Sequence, residues 1–269
     1  MTIMRFCRLG DGRTVSYREQ GKGPTVVMLH GWGMSSAVFQ SLMRPLAASF
    51  RILAPDLRGH GRSDPGPGYQ LKHLASDVEE WLGTVDAKEI CLLGWSLGGL
   101  VALELVERLG VRVHKLVLMS TTPCFVQREA WLAGQPAAQV KVLARQFKRD
   151  PLKTVESFFM QQFDGEDLDD VTLQAHKREI LDACPVPGKE AALGGLDTLL
   201  NADLTGCTWQ RVPSLVLHGE CDTIIPPSAG RYLAQHLPDA QYVQLDKIGH
   251  APLISQPDYC ARVIKDFLT

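Results

Sequence analysis

Residues 89–110 constrain the fold more than any other stretch of this chain. Ile90 to Leu93 form a short apolar run of strand type, and Leu97, Leu100, Val101, Leu105 and Leu109 then recur at helical spacing. Between them lies Gly94-Trp95-Ser96-Leu97-Gly98, a G-x-S-x-G sequence. Strand, Gly-Ser-Gly turn and helix in that order make a nucleophile elbow, with the serine oxygen exposed at the tip of the turn. The glycines allow the sharp turn because they carry no Cβ. The helix that follows aims its first N–H groups at the tip, where an oxyanion would form. The competing reading is a tight strand–helix turn whose serine only caps the helix.

The rest of the chain supplies a frame for such an elbow. Residues 3–9 and 13–19 read as two strands joined at Gly10-Asp11-Gly12. Thr25 to Leu29 is a continuous apolar run that predicts a strand buried on both faces. A helix is expected over about 35–48, a strand over 50–54, a polar loop over 55–64 and a helix over roughly 71–86. Further strands are expected over 113–119, 214–218 and 241–245, with helices over 227–236 and 257–268. Strands alternating with helices predict an α/β fold with a mostly parallel sheet covered on both faces. Residues 122–200 break the pattern and read as helices only, which predicts a helical cap inserted into a core made of 1–121 and 201–269. The insertion leaves from the strand next to the elbow, at the sheet end where active sites open. The alternative is a helical subdomain that only adds stability.

Composition excludes several classes. The 269 residues carry a net charge of -2, so no global field draws nucleic acid. No run approaches the roughly 18 apolar residues of a membrane span, and the start carries no secretory apolar segment. The seven cysteines are scattered, with no CxxC and no metal-ligand cluster, so neither metal nor cofactor is expected. They read as reduced thiols of a cytoplasmic protein, and Cys124 as a packing residue. A monomer is expected.

A serine nucleophile needs a base, usually histidine held in one tautomer by a carboxylate. Asp222 follows the strand 214–218, and His250 follows the last strand in a loop. Ser96, Asp222 and His250 therefore all fall at strand C-terminal ends, in the chain order that accompanies this elbow. The rival acid is Asp56, which also follows a strand but precedes the elbow and so breaks the order; it is read as a loop-organising residue. Two oxyanion donors are needed: the Leu97 N–H directly after the nucleophile, and the Trp32 N–H in the loop after strand 25–29. The Trp32 ring is free to line the pocket at the same time. Lys141, Arg145, Lys148, Arg149 and Lys153 cluster with only Asp150 opposing, and the first three share one helix face. That patch is either a solvated basic face or a dock for an acidic partner.

His30-Gly31-Trp32-Gly33, Gly94-Trp95-Ser96-Leu97-Gly98-Gly99-Leu100-Val101-Ala102, Pro123-Cys124-Phe125, Gly194-Gly195-Leu196 and His250-Ala251-Pro252-Leu253-Ile254-Ser255 together carry a resemblance. The chain resembles the α/β-hydrolase superfamily over nearly its whole length. Within it, the chain is similar to the pimeloyl-[acyl-carrier protein] methyl ester esterases of biotin synthesis. The resemblance implies a serine carboxylesterase acting on a methyl ester carried by acyl carrier protein, with Ser96 as nucleophile, Asp222 as orienting acid and His250 as base. It places Trp32 and Leu97 in the substrate-binding set, and Phe158, Phe159, Met160, Gln161 and Gln162 along the acyl site. The arginines by which such enzymes grip the carrier fall, by position, on Lys153, Ser157, Asp170 and Gln174, of which only Lys153 keeps a positive charge. The alternatives are another α/β hydrolase acting on small free esters or lactones, and a non-catalytic ligand-binding member of the fold.

Overall fold

The strand-like runs pair into a single sheet. The computed structural model describes residues 2–269. Its strands are β1 (Ile3–Arg8), β2 (Thr14–Gln20), β3 (Thr25–Leu29), β4 (Arg51–Pro55), β5 (Ile90–Trp95), β6 (Val113–Met119), β7 (Ser214–Gly219) and β8 (Ala240–Leu245). They lie in the order β1-β2-β4-β3-β5-β6-β7-β8. β1 and β2 are antiparallel to their neighbours, and the six strands from β4 to β8 run parallel. β3 and β7 are buried at every residue, as strands covered on both faces must be.

The helices are α1 (Gln40–Leu46), α2 (Leu71–Thr84), α3 (Leu97–Leu109), α4 (Ala137–Arg149), α5 (Pro151–Gln161), α6 (Asp170–Ala183), α7 (Lys189–Asn201), α8 (Pro227–His236), α9 (Pro252–Ser255) and α10 (Pro257–Leu268). α1 packs against α10, and α2 against α3. The helix expected over 35–48 is split: a 3₁₀ turn at Ser36–Phe39 precedes the shorter α1. The Ser35 hydroxyl accepts the Ala37 N–H and starts that tight turn. Among the described residues, no helix is long and apolar enough to cross a membrane.

α4 to α7 all lie between β6 and β7. Residues 122–136, expected to be helical with them, form a loop with isolated bridges at Val126–Gln135 and Arg128–Trp131, since Pro123, Gly134 and Pro136 interrupt helical backbone. α4 packs on α5 and α7, and α5 on α6. A bridge between Cys124 and Asp203 ties the two stems of this insertion together at the sheet. Because β3 to β8 run parallel, the loops after β3, β4, β5, β6, β7 and β8 emerge at one edge, beneath the insertion. Every sequence-predicted catalytic residue lies in one of those loops.

Candidate active site

The elbow is built by close approach of backbone. A Cβ on Gly98 would fall 2.0 Å from the Leu29 carbonyl oxygen, so only glycine lets α3 start against the end of β3. A Cβ on Gly94 would fall 2.4 Å from the Gly98 carbonyl oxygen, which lets the helix fold back on its own strand. Ser96 sits between them at φ 56 and ψ -121, a left-side conformation that a non-glycine residue holds only when its surroundings over-determine it. Three hydrogen bonds do so. The Ser96 N–H donates to Met119 O at 3.1 Å, and its carbonyl accepts from the Gly99 N–H at 2.9 Å and the Thr121 hydroxyl at 2.7 Å.

The strained serine meets the two residues expected to serve it. The Ser96 Oγ–H donates to His250 Nε2 at 3.0 Å, and His250 Nδ1–H donates to Asp222 Oδ2 at 2.8 Å. All three side chains are buried. Asp222 Oδ1 accepts the N–H groups of Ile224 at 2.9 Å and Ile225 at 2.8 Å. Burial alone would raise its pKa. The His250 imidazole and the hydrogen-bond donors around the carboxylate outweigh that and hold it well below the usual range, so Asp222 stays ionised.

His218, at the end of β7, is a second imidazole at this carboxylate that sequence reasoning missed. Its Nε2 lies 3.2 Å from Asp222 Oδ2 and 2.9 Å from the Ile225 carbonyl. Both neighbours are acceptors, so Nε2 carries the proton.

His250 is held on every polar atom. Besides its two ring contacts, its carbonyl accepts Trp95 Nε1–H at 2.9 Å, and its N–H donates to Gln162 O at 2.7 Å. Asp56 stands apart. It accepts the Ser36 N–H at 2.7 Å, the Arg62 N–H at 3.0 Å and the Ser16 hydroxyl, and so ties the loop after β4 to β2.

Ser96 opens onto a cavity of about 550 Å³, within the size range of small-ligand clefts. Its wall is largely apolar, with Trp32, Val140, Leu143, Phe158, Leu196 and Ile224 prominent, and Gln135, Gln139, Gln146 and Gln161 add amides to it. A Cβ on Gly31 would lie 3.1 Å from Ser96 Cβ, so the loop carrying Trp32 passes directly beside the serine. The Trp32 ring is pinned by Nε1–H to the Ala192 carbonyl at 2.8 Å and stands edge-on to Phe158 at 5.0 Å. Leu97 opens α3, so its N–H has no partner within the helix and is free to receive an oxyanion.

Of the five residues 158–162, only Phe158 and Gln161 line the cavity. Phe159 turns the other way and packs edge-on to Phe163 at 5.2 Å. Met160 packs partly buried against the core. Gln162 is buried and meets the site through its backbone, as the acceptor for His250. Helical rotation explains the split: one turn of α5 can show the cavity only part of its circumference.

Lys141, Arg145, Lys148, Arg149 and Lys153 are all exposed. Val140 and Leu143 of α4 turn inward to the cavity, while the basic residues stand outside. Asp150 accepts the Lys153 N–H at 3.1 Å and caps α5. Cys124 is buried, with Sγ–H donating to the Val126 carbonyl at 3.2 Å. Burial and nearby Asp203 raise its pKa, so it stays a thiol.

Sequence reasoning also passed over Glu166. Its Oε1 accepts the Gly249 N–H at 2.8 Å. It is one acid among Asp164, Asp167, Asp169 and Asp170, and nothing in the sequence distinguishes it from them.

Comparison with known proteins shows the family and the fold. A family model described as the alpha/beta hydrolase fold matches residues 24–257. A pimeloyl-[acyl-carrier protein] methyl ester esterase of Nitrosospira multiformis is 36% identical over 260 residues, covering 94% of this chain and 98% of its own. The enzyme of that name from Aromatoleum aromaticum is 36% identical over 252 residues, covering 90% of this chain and 97% of its own. Among solved structures, an esterase from Exiguobacterium antarcticum superposes with a TM-score of 0.89 at 24% identity, covering 98% of this chain and 99% of its own.

Proposed function

The chain belongs to the α/β-hydrolase family, and from that premise we propose that it is a serine carboxylesterase that hydrolyses the methyl ester of a pimeloyl chain carried on acyl carrier protein. The observation behind this reading is the unbroken contact line Ser96–His250–Asp222 at the floor of a mostly apolar cavity. The substrate class comes from the relatives' names and from a cavity suited to an acyl chain.

His250 Nε2 takes the Ser96 proton as Oγ attacks the ester carbonyl carbon. The carbonyl oxygen becomes an oxyanion held by the N–H groups of Leu97 and Trp32. The bond to the methoxy oxygen then breaks, His250 delivers its proton there, and methanol leaves. Water enters, gives a proton to His250 and attacks the acyl-enzyme. The carbon–Oγ bond breaks, the proton returns to Ser96, and the free acid departs. Asp222 keeps the histidine in the tautomer whose Nε2 accepts, and stabilises the imidazolium. Nucleophile, base and donors all come from the chain, so the chemistry needs no metal or cofactor.

The helices over 122–200 act as the cap that shapes the acyl site, since α4, α5 and α7 all contribute wall residues. The exposed basic face of α4 and the start of α5 is the dock for an acidic carrier protein. The test is methanol release from pimeloyl-carrier methyl ester by purified enzyme, beside rescue of a biotin-requiring strain that lacks its own methyl esterase. Turnover of short free esters without either activity would redirect the reading to another hydrolase of the same family.

A further inference from the structure

From these contacts we infer that Glu166 is a positioning residue that holds the histidine loop, making the helical insertion part of the catalytic apparatus as well as a cover; the inference rests on the proposed role of His250. The turn 162–166, just after α5, is wedged against the two loops that carry acid and base. The Gln162 carbonyl accepts the His250 N–H at 2.7 Å, and Glu166 Oε1 accepts the adjacent Gly249 N–H at 2.8 Å. The fit leaves no slack. A Cβ on Gly249 would fall 2.5 Å from Gln162 O and 3.1 Å from Glu166 Oε1, and one on Gly165 would fall 2.9 Å from Cys221 Cβ, next to Asp222.

The two loops also brace one another, with the Cys221 N–H donating to Ile248 O at 2.8 Å. From the opposite side, Trp95 Nε1–H holds the His250 carbonyl at 2.9 Å. The peptide before His250 is thus gripped by the insertion, and the one after it by the elbow. Glu166 supplies the side-chain contact in the insertion's half of this grip, which makes it the point where substitution can loosen it.

An error of about 1 Å in the placement of a catalytic group can cost roughly a hundredfold in rate. Loosening the grip therefore lowers the rate of any reaction at Ser96, whatever the substrate. Oε1 acts as a hydrogen-bond acceptor, a role the glutamine amide oxygen can also fill.

The test uses full-length protein with Glu166→Ala, Glu166→Gln and Glu166→Asp. Two rates are read: covalent labelling by a fluorophosphonate, and turnover of a short p-nitrophenyl ester. For Glu166→Ala, labelling and kcat fall by about tenfold to a hundredfold with KM unchanged, and Glu166→Gln restores both to within about threefold. Labelling of Glu166→Ala at the wild-type rate overturns the inference. So does loss in a folded Glu166→Gln equal to that of alanine. Should the alanine variant not fold by circular dichroism, Glu166→Asp carries the test, because its carboxylate is one methylene short of Gly249. A drop in that variant beside an intact Glu166→Gln supports the inference, and a wild-type rate refutes it. Wild-type protein that takes no label sinks the serine assignment itself and this inference with it. A labelled wild type beside an equally labelled Glu166→Ala sinks the inference alone.

Discussion

Asp222→Asn discriminates most sharply between a working triad and an accidental cluster. Every neighbour of this carboxylate is a donor. Oδ1 accepts from the N–H groups of Ile224 and Ile225, and Oδ2 accepts from His250 Nδ1 and lies 3.2 Å from His218 Nε2. Asparagine has one acceptor oxygen and one NH₂ group. Turning the NH₂ toward the two backbone N–H groups sets donor against donors that cannot change, so the oxygen stays there and the NH₂ faces His218 and His250, whose imidazoles can change tautomer. His250 Nδ1 must then accept, which places the ring proton on Nε2, aimed at Ser96 Oγ. A histidine in that tautomer cannot take the serine proton. The expected loss in kcat is about 10⁴, equivalent to about 5 kcal/mol of barrier. KM and the thermal midpoint should move little, because the side chain keeps its volume and both of its backbone bonds. The assay is steady-state hydrolysis of a p-nitrophenyl ester, with Asp56→Asn alongside as the control. Asp56 accepts from Ser16, Ser36 and Arg62 and makes no contact with His250, so its amide variant loses stability and keeps most of its kcat. If Asp222→Asn kept more than about a tenth of wild-type kcat, or if the Asp56 variant were the slower of the two, the tautomer argument would fail.

Ser96→Ala should leave the fold intact and less than about a thousandth of the wild-type rate, read as product release and absence of fluorophosphonate labelling. Charge reversal at Lys141, Arg145, Lys148 and Lys153 should lower kcat/KM for carrier-bound ester at least about tenfold at low salt, leave a small free ester almost untouched, and lose its effect as salt screens the charges. An unchanged ratio between the two substrates would mean that the basic face is merely solvated.

Acid should destabilise the protein through His60. Burial and neighbouring His30 push its pKa from 6.5 down to about 4, and its Nε2 has no partner to receive a proton. Between those values the unfolded chain binds a proton that the folded one refuses. This contribution, up to about 3 kcal/mol, is therefore complete above pH 6.5 and lost as pH falls toward 4. Melting curves from pH 7 to 4 on wild type and His60→Asn read it; the asparagine variant, which keeps a donor for the Arg58 carbonyl, should show a shallower decline.

That Ser96, Asp222 and His250 come together was legible in the sequence because each belongs to local code. The elbow is a change of period, from an apolar strand run to helical spacing, punctuated by glycines that nothing larger can replace. Asp222 and His250 each stand just past a strand, and parallel strands in an α/β sheet bring their C-terminal ends to one edge whatever the intervening lengths. Helical periodicity likewise marked the four helices between Ala137 and Asn201, while residues 122–136, read as helical with them, form a bridged loop instead.

Which side of those helices meets the site was beyond such reasoning. Phe158 and Phe159 are adjacent and alike in kind, yet one lines the cavity and the other packs against Phe163, because the docking angle of α5 decides. Gln162 serves through a backbone oxygen, which every residue type possesses. Glu166 reaches Gly249 across 83 positions of chain, and His218 comes within reach of Asp222 only through the conformation of the turn after β7. Local sequence specifies periodicity and turns, since those depend on dihedral preference and on burial of one face. Contacts between an insertion and the loops beneath it depend on how two separately formed surfaces come to rest, and only the packed tertiary structure determines that.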